Sequence, residues 1–406
     1  MTSAAKQQAL QWAEQYVCPD RVRFLTAAGI DLVIGRREGY RLWDLDGREL
    51  IDIHLNGGVF NLGHRNPQVI EALRAAMETL DIGNHHFPSV ERAQLAHELV
   101  GLTPGMQYAV FASGGGEAID LAIKSARRVT GRRRIVSGTD AYHGHTGLAL
   151  AAGDEQAATA FLSLDPDIVR VPFDDAEALA AALREPTAAV ILETVPATAG
   201  FPRPSDAYLP AVRRLCDEAD ALYIADEVQT GLGRSGRMWG VELFGVVPDI
   251  LVTGKGLSGG IYPIAATLLN ERAGQWLQTD GWGHVSTFGG AELGCRVASR
   301  VLELTGEALP TLPIDAWAAG FAELAQAYPQ WVVEVRQTGL IIGVKFANEM
   351  GGMLMTRLLY DQGVWAMFAG FDRSVLQVKP GLLMSDGERG QVLEAFHRAC
   401  AVAVTM

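Results

Sequence analysis

Ala221-Leu-Tyr-Ile-Ala-Asp-Glu-Val-Gln-Thr-Gly-Leu-Gly-Arg234, followed shortly by Pro248-Asp-Ile-Leu-Val-Thr-Gly-Lys-Gly-Leu257, is the stretch from which the fold is read. Each half opens on a short, unbroken apolar run, the pattern of a strand buried on both faces of a parallel sheet. Each run then ends in a charge, Asp226 in the first and Lys255 just beyond the second. Open α/β sheets bind ligands outside the carboxyl ends of their strands. A carboxylate and an amine delivered to one edge of one sheet are therefore better explained by a ligand between them than by core packing. A surface ion pair beside a turn is the plain alternative.

Working outward, strand-like runs recur at Tyr108–Phe111, Arg134–Ser137, Ile168–Val171, Ala188–Glu193, Leu222–Asp226, Ile250–Thr253 and Ala265–Leu269, separated by helical patterns such as 179–183 and 211–218. This alternation predicts an α/β fold whose large domain holds a mostly parallel seven-stranded sheet with helices on both faces. Upstream, Ala4–Tyr16 carries apolar residues at helical spacing and is expected to dock on another element. Leu32–Ile53 reads as an antiparallel meander, and Asn66-Pro67 opens a helix through about Met77. Downstream, Ala291–Leu304 reads as a long helix leaving the large domain, with strands near Val332–Arg336, Ile341–Phe346 and Leu376–Val378. A smaller α+β domain built from both chain ends is expected, with residues 1–54 and 301–406 flanking a cofactor-binding domain over 55–300. No repeat or low-complexity tract interrupts the chain.

The 406 residues are 49% hydrophobic and 20% charged, an ordinary globular composition with room for a large core. A net charge of -13 disfavours nucleic acid, since phosphate backbones need a basic face. The one dense basic run, Arg132-Arg-Arg134, is expected to cap a helix or lie on a solvated face. Cys18, Cys216, Cys295 and Cys400 have no paired spacing, which signals neither a zinc site nor a disulfide framework. The first residues lack an apolar signal core and no apolar run approaches membrane-span length, so a soluble, reduced, cytoplasmic setting is expected. His85-His86 and the His143/His145 pair lack a third ligand at sensible spacing, and no metal is expected.

Phe111-Ala-Ser-Gly-Gly-Gly-Glu-Ala-Ile-Asp places three glycines between a strand and a helix. Backbone N–H groups at a helix N-terminus form an anion site, and glycine lets a phosphate approach the backbone closely. A tight glycine turn without a ligand is the alternative, for the loop matches neither the dinucleotide fingerprint nor the Walker pattern. Thr253-Gly-Lys-Gly-Leu likewise lacks the spacing of a nucleotide loop. A lysine amine, an acidic group and a phosphate cradle in one α/β domain are nevertheless the parts that pyridoxal phosphate demands.

In order and spacing, the glycine loop, Tyr142-His-Gly, Glu193, Asp226-Glu-Val-Gln and Lys255 resemble the class III aminotransferases of the fold-type I pyridoxal phosphate enzymes. Leu42-Trp-Asp-Leu-Asp-Gly-Arg-Glu-Leu-Ile-Asp and Phe60-Asn-Leu-Gly-His-Arg-Asn-Pro extend the resemblance over nearly the whole chain. The resemblance implies a Schiff-base role for Lys255, which would also shuttle the substrate proton, and pairing of Asp226 with the pyridine nitrogen. It implies that Gly115 and Gly116 hold the phosphate, Tyr142 and Val228 sandwich the ring, and Gln229 lies near the phenolic oxygen. Glu193 would sit on the substrate side, with an ion-pair role as its structural alternative. Thr287, in His284-Val-Ser-Thr-Phe-Gly-Gly, would reach the phosphate of a partner subunit, making a homodimer the working unit. Asn84-His-His-Phe87 would line the substrate entrance, and Arg234 is expected to be structural.

The chain also departs from the family. Ser-Gly-Gly-Gly-Glu stands where Asn-Ser-Gly-Ser/Thr-Glu is usual, so two hydroxyl contacts to the phosphate are missing and a looser hold is expected. Gln377 stands where many members carry an arginine that forks the acceptor's carboxylate. Lys379 or Arg41 would have to replace it, which argues against assuming 2-oxoglutarate as acceptor. The expected reaction is transfer of an amino group between an amine or amino acid and a keto acid. Isomerisation by an aminomutase, racemase or epimerase on the same site is the alternative. A cofactor-bound scaffold without turnover is a third reading, opposed by the presence of both Lys255 and Asp226.

Overall fold

The three strands near the N-terminus, Ile34–Glu38 (β1), Arg41–Asp44 (β2) and Glu49–Asp52 (β3), form the expected antiparallel meander in the computed structural model, which describes residues 2–406. The central sheet follows: Tyr108–Ala112 (β4), Ile135–Gly138 (β5), Ile168–Val171 (β6), Ala189–Glu193 (β7), Leu222–Asp226 (β8), Ile250–Thr253 (β9) and Ala265–Leu269 (β10). Their spatial order is β4-β10-β9-β8-β7-β5-β6, and β10 runs antiparallel to both of its neighbours. All seven runs predicted from hydrophobic pattern are strands of this one sheet, with ends shifted by at most one residue.

The sheet explains why the deciding stretch is apolar without alternation. Along β8, Tyr223 and Ala225 enter the core on one face, while Leu222 and Ile224 enter the core on the other. Both faces are covered, so neither can be polar. The Gly115–Thr130 helix buries Ala118, Ile119, Ala122 and Ile123 on one side, and the Tyr208–Glu218 helix buries Leu209, Val212 and Leu215 on the other. Pairing of Glu193 with Asp226 and of Asp226 with Val252 brings three strand ends level, so their following residues converge at one edge.

The remaining strands are Val332–Thr338 (β11), Ile341–Phe346 (β12), Val364–Trp365 (β13), Met367–Phe368 (β14) and Val375–Val378 (β15). Four of them form a sheet of order β11-β12-β15-β14, whereas β13 joins β3 in parallel. One sheet therefore contains residues from both ends of the chain. A shared core of Ile51, Ile53 and Leu55 with Trp317, Phe321 and Phe396 welds those ends together.

The Ala4–Tyr16 helix docks differently from the expectation. Its aromatic residues Trp12 and Tyr16 face solvent, and the anchor is buried Lys6, which lies 2.9 Å from both Asp31 and Asp44 and 3.6 Å from Asp46. Helical spacing identified the element, but an ion cluster attaches it. Arg132 caps as expected, donating to the carbonyls of Thr187, Ala219 and Asp220, the second at the C-terminus of the Tyr208–Glu218 helix. All four cysteines are free. Among the described residues, no helix is long and apolar enough to cross a membrane, and no group of three or more His, Cys, Asp or Glu is placed to hold a metal.

Candidate active site

Lys255 follows β9 at the head of a tight turn, Lys255–Ser258, with φ of 39°, a left-handed conformation rarely adopted by a side chain of this size. The turn aims the lysine across the sheet edge toward Tyr142, whose ring centroid lies 5.9 Å from Nζ. Asp226, at the end of β8, turns away from the amine. Its Oδ2 lies 2.7 Å from Nδ1 of buried His143, and its Oδ1 accepts the N–H of Val228 at 3.0 Å. Among the described residues, no ion pair joins Asp226 to Lys255. The space between them is part of a 180 Å³ cavity lined by Gly115, Gly116, Tyr142, Glu193, Val228 and Gln229 together with His143 and Gly144. A direct salt bridge, the plain alternative for the deciding stretch, is thereby excluded.

Burial lowers the affinity of the Lys255 amine for its proton, and the nearby charges of Asp226 and Glu193 offset this only in part. An amine so placed is a better nucleophile than a surface lysine. Glu193 ends β7, and its carboxylate accepts the N–H groups of Tyr142 at 3.0 Å and Ala197 at 3.1 Å. Burial pushes its carboxyl up to about 7; Asp226 pushes the same way, while His143 and the two N–H donors pull back.

The glycine loop opens the Gly115–Thr130 helix, and bulk is excluded at two of its positions. A Cβ on Gly115 would stand 3.1 Å from Val228, and one on Gly116 would stand 2.8 Å from the Thr146 hydroxyl. Both backbones therefore lie open to the cavity in the first helical turn, whose N–H groups have no intrahelical acceptor. A second strained turn backs the lysine. Leu55, Asn56, Gly57 and Gly58 all have positive φ, and a Cβ on Gly57 would meet Lys255 Cε at 3.2 Å. Asp52 braces this turn by accepting the N–H groups of His54 and Leu55.

An amine without an acid partner, an acid at the neighbouring strand end, an open helix N-terminus and a buried His143 Nε2 with no protein partner fit one group, pyridoxal phosphate. Fold and cavity thus define a pyridoxal phosphate enzyme of the α/β type. Comparison with known proteins narrows the class. The family model for Aminotransferase class-III matches residues 26–400. An uncharacterized aminotransferase of Archaeoglobus fulgidus is 47% identical, covering 98% of this chain and 95% of its own. A putrescine aminotransferase of Pectobacterium atrosepticum is 32% identical, covering 97% and 88%. A structure of the ornithine aminotransferase of Toxoplasma gondii, with partial occupancy of PLP at its active site, superposes with a TM-score of 0.88 at 25% identity, covering 98% of this chain and 95% of that one. The chain belongs to the class III aminotransferases.

Of the residues expected to contact the cofactor, Thr287 alone lies outside the cavity; it is exposed on the segment after Trp282. His85 and His86 are also exposed, and His86 packs against Trp282 with ring centroids 5.3 Å apart. Arg234 is wholly buried and donates to Asn61, Leu340 and Pro380, so its role is structural, as expected.

The two candidates to replace the family arginine need correction. Arg41 is committed to Glu49 and, at 2.8 Å, to Gln391. Lys379 is wholly buried with its amine 2.6 Å from Gln377 Oε1, and burial, with the charges of Arg234 and Lys255, holds it well below the ordinary lysine range. Gln377 itself spends its amide on the Ala197 carbonyl at 2.5 Å. Neither cation lines the cavity. Sequence reading also missed His143 as the partner of Asp226, although Tyr142-His-Gly was in view: the histidine beside Tyr142 was weighed only as a metal ligand.

Proposed function

We propose that this class III aminotransferase acts through Lys255 and Asp226, on a donor that presents a terminal primary amine and a keto acid acceptor. The reading is carried by one observation: Asp226 ends one strand, Lys255 stands just past the end of its neighbour, and the two line one cavity without pairing. When bound there, pyridoxal phosphate supplies an electron sink that makes a substrate Cα–H acidic. Lys255 Nζ, with its proton affinity lowered by burial, would hold the cofactor through its amine and is placed to take and return the proton at the substrate's Cα. Asp226, steadied by His143 and the Val228 N–H, would hold a proton on the pyridine nitrogen. Gly115 and Gly116 would present backbone N–H groups to the cofactor's phosphate, Val228 and Tyr142 would hold its ring, and Gln229 would serve its phenolic oxygen; all five line the cavity. Glu193 borders the substrate side.

The terminal-amine preference rests on the putrescine and ornithine aminotransferases among the similar proteins. We further propose a cytoplasmic homodimer, in which Thr287 serves the partner's phosphate site, and a division at residues 1–54, 55–300 and 301–406.

The experiment is a donor screen followed by the visible absorption of the bound cofactor. Diamines and ω-amino acids are expected to bleach the band, giving one equivalent of product without keto acid and continuous turnover with it. Lys255→Ala is expected to lose borohydride-reducible attachment and at least about 10³-fold in turnover, a barrier of roughly 4 kcal/mol. Normal turnover by that variant would overturn the assignment.

A further inference from the structure

Glu227 lies between two residues of the cavity, Asp226 and Val228, yet points away from it into the protein, where it is 1% exposed. Four neutral donors converge on its carboxylate. Oε1 accepts from the Thr194 hydroxyl at 2.5 Å and the Val241 N–H at 2.9 Å. Oε2 accepts from the Thr230 hydroxyl at 2.6 Å and the Gly240 N–H at 2.9 Å. No cation pairs with it among the described residues. A buried carboxylate is costly to keep without a partner, and four donors are what make it tolerable.

The donors come from three places. Thr194 directly follows Glu193 at the end of β7. Thr230 closes the loop that carries Val228 and Gln229. Gly240 and Val241 begin the short Gly240–Phe244 helix. One carboxylate thus ties together the strand ends that present Glu193 and Asp226. The packing leaves little slack, because a Cβ on Gly240 would stand 3.1 Å from Glu227 Oε1 and one on Gly231 would stand 2.9 Å from the Glu227 carbonyl oxygen.

We infer that Glu227 is a positioning residue for the cofactor site: its carboxylate crosslinks the ends of β7 and β8 and sets the spacing of Glu193, Asp226, Val228 and Gln229 around the ring. The inference rests on the cofactor reading above, but its test separates the two. Lys255→Ala abolishes attachment whatever Glu227 does, whereas changes at Glu227 or Thr194 alter how well an intact Lys255 site grips the ring.

Glutamine at 227 is nearly isosteric, but its amide group faces a pair of donors it cannot accept from. Backbone N–H groups cannot turn round, so one of them loses its acceptor. Thr194→Val removes one hydroxyl and keeps the shape; Thr194→Ser keeps the hydroxyl. Dissociation constants for pyridoxal phosphate, the pH midpoint of the bound cofactor's visible band, and melting temperatures of cofactor-free protein are to be measured for all four proteins.

The expected result is about tenfold weaker cofactor binding for Thr194→Val and more for Glu227→Gln, the order of one lost hydrogen bond to a charge. Both variants should shift the pH midpoint, and Thr194→Ser should match wild type. If Glu227→Gln does not fold, Thr194→Val against Thr194→Ser decides alone. A lower melting temperature with unchanged cofactor affinity and midpoint means that Glu227 only holds the fold together, which overturns the inference.

Discussion

Glu193 sits in an environment that its letter in the sequence does not suggest. Its carboxyl rises from 4.5 to about 7, chiefly because it is buried. A pKa raised in the folded state contributes stability that is fully present below the unfolded value and is lost as pH climbs through the folded one. In cofactor-free protein, that loss runs from about pH 4.5 to about pH 7 and amounts to about 3 kcal/mol. Glu193→Gln has no proton to lose. It accepts only one of the two N–H groups that Glu193 holds, so it melts below wild type near pH 5. The gap should close or reverse by pH 8, and a gap independent of pH would contradict the raised carboxyl. The charge-bearing positions Lys255, Asp226 and Glu193 were legible because each stands at or just beyond the end of an apolar strand. His143 and Glu227 were not, for a side chain's partner is set by which strand ends meet in space.

Elements longer than the period of their own pattern were legible, and the shortest were not. Seven strands of the central sheet could be read because each is a run of four or five mostly apolar residues, fully buried in β5, β7, β8, β9 and β10 and half-buried in the edge strands β4 and β6. Strands β13 and β14 have two residues each, and β13 owes its existence to a pairing with β3 some three hundred positions away. Periodicity cannot reveal either. The left-handed turn at 55–58 is another such element, betrayed in the sequence only by Gly57-Gly58. Its expected task is to buttress Lys255. Alanine at 57 would have to adopt φ of 73° and place its Cβ 3.2 Å from Lys255 Cε. The backbone strain costs about 1–2 kcal/mol and lowers the melting temperature. Displacing the lysine should also slow attachment of pyridoxal phosphate about tenfold, equivalent to roughly 1.4 kcal/mol on the barrier. Stopped-flow absorbance measures this directly. An unchanged attachment rate in a destabilised protein would mean that the turn serves the fold and not the lysine.

At the scale of the whole molecule, the feature that the fold leaves uncovered is a face made by residues 82–92 and 281–292. The two segments lie together through the His86–Trp282 contact, the Arg92–Glu292 pair and a bond from the Glu292 N–H to the Ile82 carbonyl. Phe87, Val90, Trp282, Val285 and Phe288 are exposed there, with Phe87 at 68% and Trp282 at 65%. Large apolar side chains grouped on a surface mark a partner site, and Thr287 sits among them. If the partner is a second copy, two chains of net charge -13 repel each other, so apolar burial must hold the dimer and added salt should tighten it. A stable interface needs about 800 Å² from each copy, which single charges in its centre can undo. Val285→Asp is therefore expected to sediment as a 43.6 kDa monomer at micromolar concentration where wild type runs at twice that mass. Its cofactor affinity should fall with the dimer. Thr287→Ala should stay dimeric and still bind pyridoxal phosphate about tenfold more weakly, the effect of one hydroxyl withdrawn from a charged phosphate. A monomeric Val285→Asp that holds the cofactor as tightly as wild type would show that each chain completes its own phosphate site.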